Sequence, residues 1–300
     1  MPVATKTIPL AVPYIPPGTA EAVTRVLNSR WIGQGPVVNE FERQFSRQIV
    51  DGRSCVAVSS GTAALHLSYL LAGIGRGDEV ICPLFSCTAT NIPLLYCGAR
   101  IRFCDVAAGS LNMNPADAKA LLTEKTKAIV VVHYGGMPVD PALFHLGVPV
   151  IEDCAQALGS EIIARRGEFA CFSFQAIKHV TTGDGGMLVV PDALTEKAKR
   201  LRWFGIDRAA KLAGTWANDI TEIGHKNQMT DIGATMGLCG LGTLDRQIAY
   251  RRAMRDVYAA NLRSVDGISV IDQAPESACW LMTVLVERRE DFRRKLLSEG

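Results

Sequence analysis

The chain has 300 residues, of which 48% are hydrophobic and 21% are charged; this composition can bury a substantial core and argues against a disordered protein. With 32 basic and 30 acidic residues the net charge is +2, so no overall field attracts nucleic acid or an anionic membrane surface. The nine cysteines lack paired metal-ligand spacing, and no apolar run is long enough to span a bilayer. We therefore predict no metal site, no membrane segment and a reducing, cytoplasmic location.

The first predicted elements are two helices joined by a glycine-containing loop. Thr19 can cap a helix over residues 20–28, and apolar side chains at helical spacing predict a second helix over residues 37–50. The glycines of the connecting segment, residues 31–36, would let a ligand approach the backbone closely. A plain connecting loop fits this segment equally well.

From residue 55 the chain alternates apolar strands with helical patterns. The predicted strands cover residues 55–58, 79–82, 100–104, 128–133 and 148–153. Such alternation predicts an α/β fold with a mostly parallel sheet and helices on both faces. Ligands of these sheets bind outside the carboxyl ends of the strands, so the residues that follow each strand are the candidate site residues.

Lys178 is the first of these candidates. It follows a short aromatic strand over residues 169–174 and precedes a glycine-rich turn over residues 181–186. Loss of water there would lower the pKa of its amine from about 10.4 toward roughly 7 to 8, where the amine is a nucleophile toward carbonyls. Taken alone, the same residue also fits a surface lysine beside a loop.

Two further strand ends complement this amine. Asp153 ends a buried strand, and the strand over residues 55–58 breaks at Gly61 into a helix whose free N–H groups face anions. Pyridoxal 5′-phosphate needs a lysine for its aldehyde, an acid that keeps its pyridine nitrogen protonated and a cradle for its phosphate. These three needs are matched by Lys178, Asp153 and the segment 59–65, respectively. The sequence therefore predicts pyridoxal 5′-phosphate as the cofactor.

The last third of the chain is less regular. We predict a helix over residues 194–203, a long polar loop over 209–226 and helices over 230–265. Two short strands, at residues 267–272 and 280–286, and an amphipathic helix over residues 288–300 follow. The apolar face of that last helix consists of Phe292, Leu296 and Leu297.

Five ordered segments resemble the DegT/StrS-type aminotransferases, and the similarity runs from about Ile8 to the end of the chain. The segments are SSGTAALHLS, VIEDCAQALGS, FSFQAIKHVTTGDGGM, RWFGIDR and GHKNQMTDIGATMGL. The resemblance implies the aspartate aminotransferase-like fold (fold type I) of pyridoxal phosphate enzymes. Residues 1–245 would form the large cofactor-binding domain, and residues 246–300 would start a smaller C-terminal α/β domain that we expect to be incomplete.

The resemblance also implies a reaction. Members of this family aminate nucleotide-linked keto sugars, so we expect transamination with an amino-acid donor, glutamate foremost, in the synthesis of amino sugars, surface polysaccharides or glycosides. Lys178 would hold the cofactor and transfer protons, Asp153 would bind the ring nitrogen, and Gln156 would donate to the ring hydroxyl. Where the family usually places an aromatic ring over the cofactor, this chain has Cys87, so either that thiol or Phe85 would contact the ring.

The phosphate contacts implied by the resemblance are Gly61, Thr62 and Ser173. In the family a residue of the neighbouring subunit completes the phosphate site, and Lys226 stands at that position, which implies a homodimer with shared active sites. A solvated lysine is the alternative for Lys226. His133 ends another strand, where it could reach the sugar or serve only the structure.

Two other functions fit parts of this pattern. A pyridoxal phosphate-dependent lyase acting on amino acids, such as a desulfurase, would use a similar fold and the same lysine chemistry. A non-catalytic protein that binds the cofactor for regulation would also retain the lysine, the acid and the phosphate cradle. Relatives that dehydrate sugars carry histidine where this chain has Lys178, which argues against that variant.

Overall fold

The computed structural model describes residues 8–215, 217 and 219–299. Its centre is a seven-stranded sheet with the strand order β1-β7-β6-β5-β4-β2-β3. The strands are β1 (Ser54–Val58), β2 (Glu79–Pro83), β3 (Arg100–Cys104), β4 (Thr126–Val132), β5 (Val150–Asp153), β6 (Phe169–Ser173) and β7 (Gly186–Val190). A separate ribbon pairs β8 (Ile268–Val270) with β9 (Val284–Val286).

Strand direction brings the predicted strand ends to one edge of the sheet. Pairings among β2 to β6 are parallel, whereas β7 runs antiparallel to both of its neighbours, β1 and β6. Because β1 and β6 both oppose β7, they run in the same direction as each other. The carboxyl ends of β1 to β6 therefore lie along a single edge, where parallel sheets bind their ligands.

Helices cover both faces of this sheet. The α-helices of the described residues are α1 (Thr19–Ser29), α2 (Pro36–Ile49), α3 (Gly61–Leu71), α4 (Thr88–Tyr96), α5 (Pro115–Ala120), α6 (Thr195–Leu201), α7 (Arg208–Leu212), α8 (Asp231–Leu241), α9 (Leu244–Leu262) and α10 (Arg289–Glu299). Successive side chains of a strand point to opposite faces. In β1, Cys55 and Ala57 accordingly join one buried cluster, while Val56 and Val58 join the cluster on the other face.

Four phenylalanines fix α2 to β6. The ring centroids of Phe45 and Phe172 are 5.0 Å apart, and those of Phe41 and Phe174 are 5.2 Å apart. All four side chains are fully buried, and burial of one such ring stabilises the fold by roughly 1.5 to 3 kcal/mol. The strand that leads to Lys178 is therefore held firmly between the two helical layers.

The structure confirms the α/β fold and the five strands predicted before residue 154, with ends that differ by no more than about two residues. It adds β7, of which only the first residue, Gly186, had been assigned from the sequence, as the end of the glycine-rich turn. Gly186, the first residue of β7, packs so closely on Ser60 that a Cβ would collide with the Ser60 carbonyl. The glycine that suggested a turn is thus required by strand packing.

Three local predictions were wrong or too long. Directly after Asp153 the sequence of residues 154–157 predicts the opening of a short helix, but residues 155–159 form turns. The polar segment 209–226 begins within α7, whose first turn is capped by the Asp207 side chain. The last predicted strand is confined to Val284–Val286, since residues 277–281 instead bond to the loops that follow β4 and β6.

The C-terminal elements pack loosely. Only Leu244 and Ile248 of α9 are buried, and α10 buries no residue. The predicted apolar face of α10 is largely open, with Leu296 55% and Leu297 69% exposed. The predicted domain boundary at residue 245 falls in the first turn of α9, and the division into two domains stays a prediction. None of the helices in the described residues is both long and apolar enough to cross a membrane.

Candidate active site

The carboxyl edge of the sheet collects most of the residues singled out from the sequence. Gly61 begins α3 directly after β1, Asp153 ends β5 and Ser173 ends β6. Lys178 follows β6 in a turn in which its N–H donates to the Gln175 carbonyl at 2.9 Å. Cys87 precedes α4 at the end of β2. Four segments that are remote in sequence, at the ends of β1, β2, β5 and β6, therefore converge on one place.

The Lys178 amine lies in a partly buried position near the Asp153 carboxylate and the Cys87 thiol. Its Nζ is 3.8 Å from the centroid of the Trp280 ring. Burial lowers the pKa of Lys178, while the nearby Asp153 and Cys87 act in the opposite direction and partly offset that effect. Because the net shift is downward, a larger fraction of this amine is neutral at a given pH than in an exposed lysine. This lowering of the Lys178 pKa agrees with the expectation from the sequence.

Asp153 is held in a fixed orientation by two donors. Its Oδ1 accepts a hydrogen bond from the Ala155 N–H at 3.0 Å, and its Oδ2 accepts one from the Thr90 hydroxyl at 2.8 Å. Burial raises the pKa of Asp153, and these donors together with Lys178 pull it back down. Both contacts stabilise the carboxylate form, which is the form that can bind a protonated ring nitrogen.

The start of α3 forms a cradle for an anion. The Ser60 side chain caps the helix by accepting from the Ala63 N–H at 3.0 Å. Gly61 and Thr62 occupy the first turn, where N–H groups have no partner within the helix. A Cβ on Gly61 would lie 2.8 Å from the Cβ of Ser173. Only glycine therefore lets the helix start approach the Ser173 hydroxyl closely enough to share one ligand with it.

Gln156 has a defined orientation of its own. It is 9% exposed, and its Oε1 accepts a hydrogen bond from the Gly135 N–H at 2.7 Å. This bond identifies Oε1 as the acceptor side of the amide, so Nε2 is left as the donor. A donor at this point fits the predicted contact with a ring hydroxyl, and the contact itself stays a prediction.

Cys87 and Phe85 occupy different surroundings. Cys87 is exposed and close enough to Lys178 to raise the pKa of that amine. The Phe85 ring packs against the Tyr134 ring, with centroids 4.8 Å apart. Each side chain is thus held beside a different residue of the carboxyl edge, and both stay candidates for contact with the cofactor ring.

Lys226 lies in a segment that is fixed against the end of β1. The Ser59 N–H donates to the Asn227 carbonyl at 2.7 Å, and Val58 pairs with Gln228. The Lys226 side chain itself is exposed, with its Nζ 5.4 Å from the centroid of the Phe204 ring. Its position leaves it accessible to another subunit, and its role in phosphate binding stays a prediction.

A second buried polar cluster lies just behind Asp153. His133, Glu152 and Cys154 place their potential ligand atoms within 4.8 Å of one another. His133 Nδ1 accepts from the Val139 N–H, so its Nε2 carries the proton that is donated to Glu152 at 2.9 Å. Both ring nitrogens are therefore engaged, and we interpret the cluster as structural, which agrees with the structural alternative for His133.

Two residues of this site, Thr90 and Trp280, were not predicted from the sequence. Thr90 orients Asp153, but a threonine in a helix has no distinctive pattern that would reveal such a contact. Trp280 contacts Lys178 although the two residues are far apart in the chain. A single tryptophan in an apolar segment predicts only burial, so its place over the amine is visible only in the fold.

Comparison with known proteins now identifies the chain. The sequence profile of the DegT/DnrJ/EryC1/StrS aminotransferase family matches residues 14–300. The chain belongs to this family. It is 35% identical over 295 residues to the UDP-4-amino-4-deoxy-L-arabinose--oxoglutarate aminotransferase of Shewanella sediminis (strain HAW-EB3), a match that covers 93% of this chain and 75% of that protein.

Solved structures of sugar aminotransferases have the same fold. CalS13 of Micromonospora echinospora superposes with a TM-score of 0.90 at 34% identity, covering 97% of this chain and 84% of that one. The pyridoxal phosphate form of the putative sugar aminotransferase Spr1654 of Streptococcus pneumoniae superposes with a TM-score of 0.89 at 26% identity. This match covers 98% of this chain and 83% of that one. The predicted family, fold and cofactor are confirmed: this chain is a sugar aminotransferase that depends on pyridoxal phosphate.

The donor set of the carboxyl edge fits that cofactor. It offers an amine whose pKa is lowered by burial, a buried carboxylate held in place by two donors, and a helix start that only glycine can bring against Ser173. These are the groups that an aldehyde, a pyridine nitrogen and a phosphate require.

The close approach of α3 to β6 leads to a prediction. We expect Gly61→Ala to destabilise the cofactor-free protein by about 1 to 3 kcal/mol through overpacking against Ser173, and to weaken pyridoxal phosphate binding because the helix start is displaced. Urea denaturation and a spectroscopic binding titration measure the two effects. Gly75→Ala is the control, since its new Cβ meets open space; similar losses in both variants would contradict the close approach.

Proposed function

We propose that the chain transfers an amino group from an amino acid, glutamate foremost, to the keto carbon of a nucleotide-linked sugar. The observation that carries this proposal is the Lys178 amine, whose pKa is lowered by burial, beside the Asp153 carboxylate at the carboxyl edge of the sheet. The name of the Shewanella relative supports the substrates, since it contains a nucleotide sugar and oxoglutarate, the keto acid that glutamate becomes when it loses its amino group. The products would serve the synthesis of polysaccharides or glycosides.

Each group that we propose for cofactor binding has a distinct task. Lys178 would hold the cofactor through its amine, and Asp153 would keep the ring nitrogen protonated. Gln156 would donate its Nε2–H to the ring hydroxyl. The phosphate would be bound by the N–H groups and hydroxyls of Gly61, Thr62 and Ser173. When bound, the protonated ring supplies an electron sink for the carbon that loses its proton.

Lys178 would also transfer the proton, both when the amino acid gives up its amino group and when the sugar receives it. Because burial lowers the pKa of Lys178, a larger fraction of its amine is neutral than in an exposed lysine, and the neutral amine can accept a proton from the substrate carbon that bears the amino group. Thr90 and the Ala155 N–H hold the Asp153 carboxylate in one orientation during this transfer. The enzyme would work in the cytoplasm, where its cysteines, which are free thiols throughout the described residues, stay reduced.

Amino transfer to nucleotide keto sugars tests the proposal directly. We expect purified protein with glutamate to aminate at least one member of a panel of nucleotide keto sugars and to release 2-oxoglutarate. Lys178→Ala should lose transfer, and Asp153→Asn should slow it by roughly two to four orders of magnitude. Lys199→Ala, which removes an exposed lysine paired with Glu196, is the matched control. Release of sulfide from cysteine without sugar amination would favour the lyase instead.

We further propose a homodimer in which the partner supplies Lys226 to the phosphate site. The exposed position of this lysine, on a segment held rigidly against β1, supports such a reach. Lys178→Ala and Lys226→Ala should each be poor enzymes alone. Mixed dimers should regain activity, because one of their two sites contains both wild-type lysines. Native mass spectrometry verifies subunit exchange, and exchange without regained activity would contradict the shared site.

A further inference from the structure

Trp280 makes a contact that the reaction outlined above does not use. The residue lies between β8 and β9, in the segment 277–281, and its ring is beneath the Lys178 ammonium with 3.8 Å between Nζ and the ring centroid. This distance is well within the range of a cation–π interaction, in which the negative face of the ring attracts a positive charge. Such attraction acts on the protonated lysine and not on the neutral amine.

The segment 277–281 also holds both neighbours of Lys178. Trp280 Nε1–H donates to the Ile177 carbonyl at 3.3 Å, and His179 Nε2 contacts the Ala278 carbonyl at 3.1 Å. Since a carbonyl oxygen can only accept, His179 is the donor of the second bond. Burial, aided by the charge of Arg251, lowers the pKa of His179 to about 3, so this ring is neutral near pH 7. The lysine turn is therefore clamped on both sides.

The backbone that carries the indole is itself anchored, in part to the loop after β4. The backbone N–H of Trp280 donates to the Gly135 carbonyl at 2.9 Å, and the backbone N–H of Ala278 donates to Ser160 Oγ at the same distance. Gly136 adopts a φ of 95°, and a Cβ there would lie 3.0 Å from the Cys279 nitrogen. The ring is thus held by backbone contacts that do not depend on Lys178, which makes it a preformed resting place for the ammonium.

We propose that Trp280 is a positioning residue that holds the protonated Lys178 side chain whenever the lysine is not attached to the cofactor. This inference rests on the proposed role of Lys178. A free lysine has four rotatable bonds and would lose its place at the carboxyl edge without such a contact. The groups that face the ammonium are Asp153 and Cys87 from the sheet edge and the neighbouring His179, with Trp280 on the remaining side.

The protonation of Lys178 in the cofactor-free protein tests this role without reference to turnover. Trace acetylation with acetic anhydride at a series of pH values, read by mass spectrometry of the Lys178 peptide, reports the pKa of this amine. Trp280→Leu removes the aromatic face, so the charged form loses its stabilisation and the pKa of Lys178 should fall by about 0.5 to 1.5. Trp280→Phe keeps a weaker aromatic face but loses the bond to Ile177, and should lower the pKa of Lys178 by less than Trp280→Leu does.

Fluorinated tryptophan provides a test that preserves the shape of the ring. Fluorine withdraws electrons from the indole face, so the pKa of Lys178 should fall stepwise with the number of fluorine atoms. This measurement remains decisive if Trp280→Leu fails to fold. An unchanged pKa across the fluorinated series, or equal shifts in the Phe and Leu variants, would overturn the proposal. Because cofactor-free protein is used, such a result is distinguishable from loss of sugar amination, which would overturn the proposed function.

Discussion

The Lys178 amine and the Asp153 carboxylate share a region from which water is largely excluded, and the rest of the site is arranged around that pair. Desolvation disfavours both charges: it lowers the pKa of the lysine and raises that of the aspartic acid. Their mutual attraction offsets part of this cost, as do the two donors on Asp153. The balance leaves an amine whose pKa lies below that of an exposed lysine and a carboxylate that stays in place.

The fold supplies this pair with rigid supports. Strand β6 leads directly to the lysine turn and is fixed by Phe172 and Phe174, which pack on the phenylalanines of α2. The antiparallel strand β7 brings β1 and β6 into the same direction, so the anion cradle of α3 and the lysine lie at one edge. Glycine at position 186 is the condition for this arrangement, because a side chain there would displace the Ser60 carbonyl.

Much of the fold and many of the candidate site residues could be predicted from the sequence, since strand alternation and the residues after each strand end are local patterns. Asp153, Lys178 and Gly61 were predicted in that way, together with the cofactor that they match, and the resemblance of five ordered segments added Gln156 and Ser173. Strand β7 was missed because a glycine required by packing looks the same in a sequence as a glycine required by a turn. Trp280 and Thr90 were missed because their roles arise from contacts between distant segments, which no local pattern records.

The roles proposed for the site residues depend most on which amine binds the cofactor covalently. Borohydride reduction of the protein with bound pyridoxal phosphate, followed by peptide mass spectrometry, locates the amine that carries it. We expect the reduced cofactor on the peptide that contains Lys178, and no labelling at this position once Lys178 is replaced by alanine. Stoichiometric labelling of Lys226 or of another lysine in the unaltered protein, with Lys178 unmodified, would contradict the assignment on which the site is built.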